Sequence, residues 1–574
     1  MKLNRIFAFI FLAFAFAACN KKNTELFNDG IYTGIGNGRD GAIEIRVIIR
    51  NNRVSEAKVI SSNDTPEIAI PAENELLYYF IQDGNTNQLD VISGATLTSN
   101  GIIDALEMAL DQARGKKFEK SSYNNTSCDI VIIGAGGAGL VAATEAASKG
   151  AKVILLEKMG IVGGNSNYST GGINAAYTEE QKKLGIVDSK EVFFDDTMKG
   201  GQELNDPDLV HTLIDNSADI VKWLQSDLIG ADLSEVGMFG GATNKRIHRP
   251  KGGGAIGAHL IPLLKSAALK TGVDIRLNNR VVEILENNGA ACGVRVFCNN
   301  SEYKISAKAV IITTGGFGAN PQLIEKYHPE FHGFATTNHS GATGDAIELV
   351  EKFNAAFVQM EQIQTHPTVV AGGSGIMITE AVRGNGAILV NRDGKRFVDE
   401  LQTRDFVSTA VLTERGGTAF ILFDQGVRNS LSAIENYAKQ GLLTQADSLE
   451  ELAKKMGADG QALSQTVKKY NKYVENKKDE DFLRNPISME RKLELPPFYA
   501  IEIEPAVHHT MGGLKINTKA EVQNTDGQSI PALYAAGEVT GGIHGANRLG
   551  GNAVADICIF GKIAADSALS YIEK

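Results

Sequence analysis

Ile130-Val131-Ile132-Ile133-Gly134-Ala135-Gly136-Gly137-Ala138-Gly139 decides the fold. Four apolar residues in a row read as a buried strand, the glycines as a tight turn, and the Ala-rich stretch beyond as a helix. Gly134, Gly136 and Gly139 thus set G-x-G-x-x-G between strand and helix. There the glycines permit the turn and let a pyrophosphate approach the helix N-terminus, whose unpaired N–H groups and macrodipole favour an anion. Glu157 closes the next apolar strand, 23 residues after Gly134, where a carboxylate can accept hydrogen bonds from ribose hydroxyls.

The fingerprint alone leaves nicotinamide and flavin dinucleotides open. Gly163-Gly164-Asn165-Ser166 and Ser169-Thr170-Gly171-Gly172 downstream suit a backbone wrapped around a long flavin. A second match, Gly252-Gly253-Gly254-Ala255-Ile256-Gly257, follows His248-Arg249-Pro250-Lys251 with no strand expected before it, and is rejected as a nicotinamide site. Apolar strands recur at 151–156 and 309–314, the start of an α/β layer architecture. Between about 362 and 507 the text becomes more helical and charged, as an inserted domain would be.

Upstream, Ile43, Ile45, Val47 and Ile49 alternate, Asn51-Asn52 supplies a turn and 54–60 returns as a strand, so a hairpin is expected. Ile102, Ile103, Leu106 and Leu110 follow at helical spacing. The predicted organisation is a small α+β domain at 29–115, a linker at 116–126, a Rossmann-like α/β domain at 127–361 and 508–574, and an α+β capping domain at 362–507.

Composition is that of a globular protein: 574 residues, 43% hydrophobic and 22% charged. A formal net charge of -11, with no basic block, argues against a nucleic-acid partner. Residues 1–18 read as a secretory signal: Lys2 and Arg5 precede a short apolar run too brief to span a bilayer. Phe16-Ala17-Ala18-Cys19 resembles a bacterial lipobox, with Cys19 as the lipidated residue; a plain signal cleaved near Ala18 is the alternative. Cys128, Cys292, Cys298 and Cys558 form no C-x-x-C-H, so covalent c-type haem is excluded, and no metal site is expected.

From residue 128 to the C-terminus the chain resembles the flavoprotein of soluble fumarate reductases of the flavocytochrome c type. The resemblance rests on the fingerprint with Glu157, Thr313-Thr314-Gly315-Gly316, Thr365-His366-Pro367-Thr368 and Thr379-Glu380-Ala381-Val382-Arg383-Gly384. It continues through Thr403-Arg404-Asp405, His508-His509-Thr510-Met511-Gly512-Gly513, Ala536-Gly537-Glu538 and Gly545-Ala546-Asn547-Arg548-Leu549-Gly550-Gly551-Asn552. It implies non-covalent FAD, held by Gly134, Gly136, Gly139, Glu157, Asn165, Ser166, Thr170, Gly171, Gly172, Glu538 and Arg548. It also implies Arg404 as proton donor, Glu380 and Arg383 as its relay, and His366, His508, Arg548 and Thr379 as substrate ligands. His509 is the less expected member of its pair.

Asp90-Val91-Ile92-Ser93-Gly94-Ala95-Thr96-Leu97-Thr98-Ser99 resembles the attachment motif of FMN-binding domains, with FMN joined through its phosphate to Thr96 and Thr98 as the alternative. FMN would then stand in place of the family's haems, passing electrons from outside to FAD. The expected activity is reduction of fumarate to succinate in anaerobic respiration. Urocanate, acrylate, methacrylate or cinnamate are alternative substrates, and a non-enzymatic electron-transfer flavoprotein is an alternative of another class. The expected partners are a membrane or periplasmic electron donor and a flavin transferase, with the protein lipid-anchored outside the cytoplasm.

Overall fold

The computed structural model describes residues 27–38, 42–62, 66–86, 89, 95–115, 123–298 and 301–573. The leader with Cys19, residues 90–94 and the side chain of Thr96 lie outside the described residues.

In the N-terminal unit β1 (Gly30–Asn37), β2 (Ala42–Arg50) and β3 (Arg53–Ser62) form an antiparallel sheet in that order. α1 (Pro66–Asp83) and α2 (Thr96–Ala113) cover one face. The expected hairpin is β2–β3: Asn51 and Asn52 turn the corner at φ 53° and 59°, the left-handed region Asn tolerates, and Asp29 accepts both of their N–H groups. β1 lies so close under α2 that a Cβ at Gly34 would sit 1.8 Å from the Ala105 carbonyl oxygen, and one at Gly36 1.8 Å from that of Gly101.

β4 (Thr126–Ile133) carries the fingerprint's apolar run, α3 (Gly137–Ser148) follows the glycine turn, and β5 (Val153–Leu156) ends one residue before Glu157. β4 pairs in parallel with β5 and with Ser301–Ile312; Asp274–Arg276 extends the parallel set beyond β5, and Ser529–Ala535 extends it beyond Ser301–Ile312. Helices cover this sheet, α3 packing on Ile256–Lys270 and Asn552–Ile572, so Ile130–Ile133 of β4 and all of β5 are buried and run apolar without alternation. Tyr123 is already fixed here, stacked on Tyr303 at 5.2 Å with the Arg276 guanidinium over its ring, so the end of the expected linker packs on the sheet domain.

The rejected glycine pattern needs one correction. A strand does precede it, Ile247–Arg249, and a helix follows, Ile256–Lys270. That strand is antiparallel in a separate small sheet, and Gly257 is needed for packing, since a Cβ there would meet the Ser166 carbonyl oxygen at 2.1 Å.

The chain enters the cap on Ile363–Val370 and leaves it on Phe498–Thr510, and these two strands pair antiparallel. Phe498–Thr510 also pairs with Ala419–Asp424, which pairs with Ile388–Val390, giving the cap a sheet and apolar core of its own. Register shifts at Gln364/Thr365 and between His366 and Val369 bend the entry strand where its polar residues lie.

Candidate active site

Two cavities run from the fingerprint to the cap. The smaller, about 110 Å³, is lined by Gly134, Gly136 and Glu157; the larger, about 500 Å³, by Thr170, Gly171, Gly172 and the cap's polar residues. Asn165, Ser166 and Glu538 line both, so the space is elongated as a dinucleotide requires.

At the fingerprint end, Gly134 has φ 100°, and a Cβ there would lie 2.5 Å from the Thr313 carbonyl oxygen. A Cβ at Gly136 would meet nothing nearer than 3.8 Å, so its missing side chain leaves room at the N-terminus of α3 for an approaching phosphate. Glu157 accepts the N–H groups of Ala135 and Met159 at 2.8 and 2.9 Å, one on each oxygen. Burial pushes its carboxyl pKa up, the two N–H groups opposing. Each oxygen keeps a lone pair for a ribose hydroxyl. Glu538 accepts from the Thr510 N–H and from Asn165 Nδ2, both at 3.0 Å. The donor set and the length of the space fit FAD.

At the cap end, Arg404 opens the helix Arg404–Thr413 and is 8% exposed. Its Nε and Nη2 each lie 3.1 Å from Glu380 Oε2, and its Nη1 donates to Gln364 Oε1 at 3.1 Å. Glu380 caps the short helix Ala381–Gly384, and its Oε1 accepts the Gly240 N–H at 2.6 Å. Burial would raise its carboxyl pKa, but Arg404, Arg383 and the Gly240 N–H hold it below the usual carboxylate value. Arg383 sits on the same side of that helix, 4.0 Å from Glu380 Oε2, and is fully buried behind the cavity wall rather than on it. Its Nη1 donates to the Glu400 carbonyl, while Nε and Nη2 have no hydrogen-bond partner among the described residues.

His366 and His508 face each other across the entry and exit strands, ring centroids 5.1 Å apart. Burial and the charges of nearby arginines push both well below the usual imidazole pKa, so both rings are neutral. His366 Nδ1 accepts the Thr368 N–H at 3.3 Å, which leaves the ring proton on Nε2 as a donor. His508 Nδ1 is paired with the Thr337 hydroxyl at 2.7 Å. Arg548 Nη2 donates to Gln364 Oε1 at 3.3 Å; burial and Arg404 push its guanidinium pKa down to about 9, Glu538 and Glu380 opposing. Thr379 is buried on the cavity wall, its N–H donated to the Tyr437 hydroxyl at 3.0 Å.

The structure therefore brings His366, His508, Thr379, Glu380, Arg404 and Arg548 to one cavity, with Arg383 behind Glu380. His509 also lines this cavity, toward its Glu538 end, its Nδ1 3.6 Å from Glu538 and with His544 and Asp556 beyond. Sequence reasoning missed Gln364, whose Oε1 accepts from both Arg404 and Arg548, and Tyr437. No local signal marked Gln364, because the register shift between it and Thr365 breaks the alternation that would tie it to His366.

Comparison with known proteins gives the family. Residues 129–554 match the FAD binding domain family and residues 38–111 the FMN-binding domain family. The chain is 48% identical over 470 residues to a fumarate reductase (cytochrome) of Shewanella frigidimarina, covering 82% of this chain and 81% of that protein. It is 40% identical to the NADH:fumarate oxidoreductase of Klebsiella pneumoniae (strain 342), covering 94% of this chain and 58% of that protein. It is 33% identical to a urocanate reductase of Eggerthella lenta, covering 94% and 92%. Among solved structures it matches the open conformation of a flavocytochrome c3 fumarate reductase with TM-score 0.65 and 40% identity, over 81% of this chain and 84% of that one. The chain belongs to the FAD binding domain family of flavoprotein oxidoreductases and carries an FMN-binding domain ahead of it, so its cofactors are FAD and FMN.

Proposed function

We propose that the protein reduces the C=C bond of an unsaturated carboxylate, and that fumarate, reduced to succinate, is the substrate. The observation that carries this is the convergence of Arg404, Arg548, His366 and His508 on one buried cavity whose two carboxylates are already engaged, Glu380 by Arg404 and Glu538 by the Thr510 N–H and Asn165. Such a site offers charged and ring donors at several points, as the two carboxylates of a dianion require. When bound, reduced FAD supplies the hydride to one alkene carbon, with FMN as the source of its electrons.

The chain's residues do the rest. Arg548, His366 Nε2, His508 and Thr379 hold the carboxylates and draw charge from the double bond, stabilising the enolate-like charge that develops on the second carbon. Arg404 delivers a proton to that carbon. A guanidinium is a very weak acid, so the transfer requires immediate reprotonation: the Glu380 carboxylate, held against two of its nitrogens, passes on a proton taken from Arg383, which is itself recharged from solvent. Closure of the cap over the cavity excludes water.

Anaerobic oxidation of reduced methyl viologen, compared across fumarate, urocanate, acrylate, methacrylate and cinnamate, tests the substrate. Fast turnover with fumarate alone is expected; a preference for a monocarboxylate would overturn the two-carboxylate reading. With Arg548 near 9, the KM for fumarate should climb as pH rises through that value, by up to about tenfold per unit beyond it.

FMN is joined through its phosphate to Thr96 by a flavin transferase, and a membrane or periplasmic redox protein reduces it. Cys19 carries a lipid anchor that keeps the protein outside the cytoplasm. The support is the Ala17-Ala18-Cys19 junction after a short apolar run and the match of 38–111 to FMN-binding domains. Sedimentation with membranes that persists unchanged in Cys19→Ala would remove the anchor.

A further inference from the structure

The larger cavity extends past the arginines to a face of the cap that the proposed chemistry leaves unused. The short helix Ala433–Lys439 contributes Ala433, Asn436 and Tyr437, and its C-cap Gln440 completes the row. These positions, spaced three and four apart, form one helix face. The side-chain amides of Asn436 and Gln440 make no hydrogen bond among the described residues. Tyr437 ties the helix to the substrate end: its hydroxyl accepts the Thr379 N–H and donates to the Met377 carbonyl.

Across this face stands the FMN-binding domain. α2 starts at Thr96, and Ala95 and Thr98, on either side of it, line the same cavity. The N-terminus of α2 therefore borders the cavity.

We propose that the face formed by Ala433, Asn436 and Gln440 is the docking cradle for the FMN isoalloxazine, held at the mouth of the FAD cavity. This rests on the reading of Thr96 as the attachment residue. The carbonyls and imide N–H of an isoalloxazine pyrimidine ring match the donors and acceptors of two carboxamides. With FMN held there, the two electrons it receives from the outside donor would pass to FAD, the protons released by one flavin and taken up by the other being exchanged with solvent. Transfer stays within one chain and needs no second copy.

The test uses the full, flavinylated protein and two variants, Asn436→Ala/Gln440→Ala and Ala433→Trp, the first emptying the cradle and the second filling it. Time-resolved fluorescence anisotropy of the covalent FMN is read together with the rate of FMN-to-FAD electron transfer after flash reduction. Both variants should keep stoichiometric FAD, gain a fast anisotropy component from an undocked flavin, and transfer electrons at least tenfold more slowly. Retained FMN with anisotropy and transfer rate equal to the parent in both variants overturns the cradle alone, with enoate turnover by the parent unaffected. Absence of flavin on the denatured parent chain, or flavin that persists in Thr96→Ala, overturns the attachment reading and the cradle with it.

Discussion

Arg404→Lys is expected to lower kcat for enoate reduction by about 10³-fold while changing KM less than about threefold, a size typical of a lost general acid. Lysine keeps the positive charge, so the field on the carboxylates survives. It loses the planar fork through which Arg404 binds Glu380 with Nε and Nη2 while Nη1 reaches Gln364. An ammonium on a shorter, flexible stem cannot hold the relay partner and face the substrate carbon together. Steady-state kinetics with reduced viologen checks this, and a variant with parental kcat would remove Arg404 from the chemistry.

Glu380→Gln should be nearly as damaging, with a different signature. The carboxylate is the shared counter-charge of Arg404 and Arg383, and both guanidinium groups are buried. An amide of the same shape turns an acceptor into a donor facing their N–H groups, and removing one partner of a buried ion pair costs about 3–5 kcal/mol. The sign of the pH effect follows from the lowered carboxyl pKa. The carboxylate stabilises the folded protein above the usual glutamate pKa, and that stability is lost as pH falls through the lowered value. The variant should therefore melt lower at neutral pH and show less further loss on acidification, with turnover down about 10²- to 10³-fold. Equal melting curves at pH 7 would mean that Glu380 is not the counter-charge drawn here.

The fingerprint could be read from sequence because its parts are local: strand, turn, helix and Glu157 lie within one β–α–β unit, and each residue type answers to one backbone demand. β1 was not legible for the opposite reason. Gly30, Gly34 and Gly36 argue against a strand by propensity, yet at Gly34 and Gly36 glycine is what lets α2 lie on the sheet. At the active site, the motifs with family resemblance identified the charged residues. The pairing that assembles them was hidden, because Ile363–Val370 and Phe498–Thr510 are neighbours in space separated by the whole cap. Gln364 belongs to that hidden part: its role appears only when Arg404 and Arg548 arrive from distant segments to share its oxygen. The burial of Arg383 behind Glu380 likewise follows from packing, not from the spacing of three that put it on the same helix side.

This flavoprotein spends its electrons on an alkene and not on another protein. A single-turnover experiment tests it most directly: the flavinylated protein, reduced anaerobically and freed of reductant, is mixed with fumarate while flavin absorbance and succinate are followed. Rapid flavin reoxidation is expected, with one succinate formed for each pair of electrons lost, whereas flavins that stay reduced with no succinate formed would exclude alkene reduction.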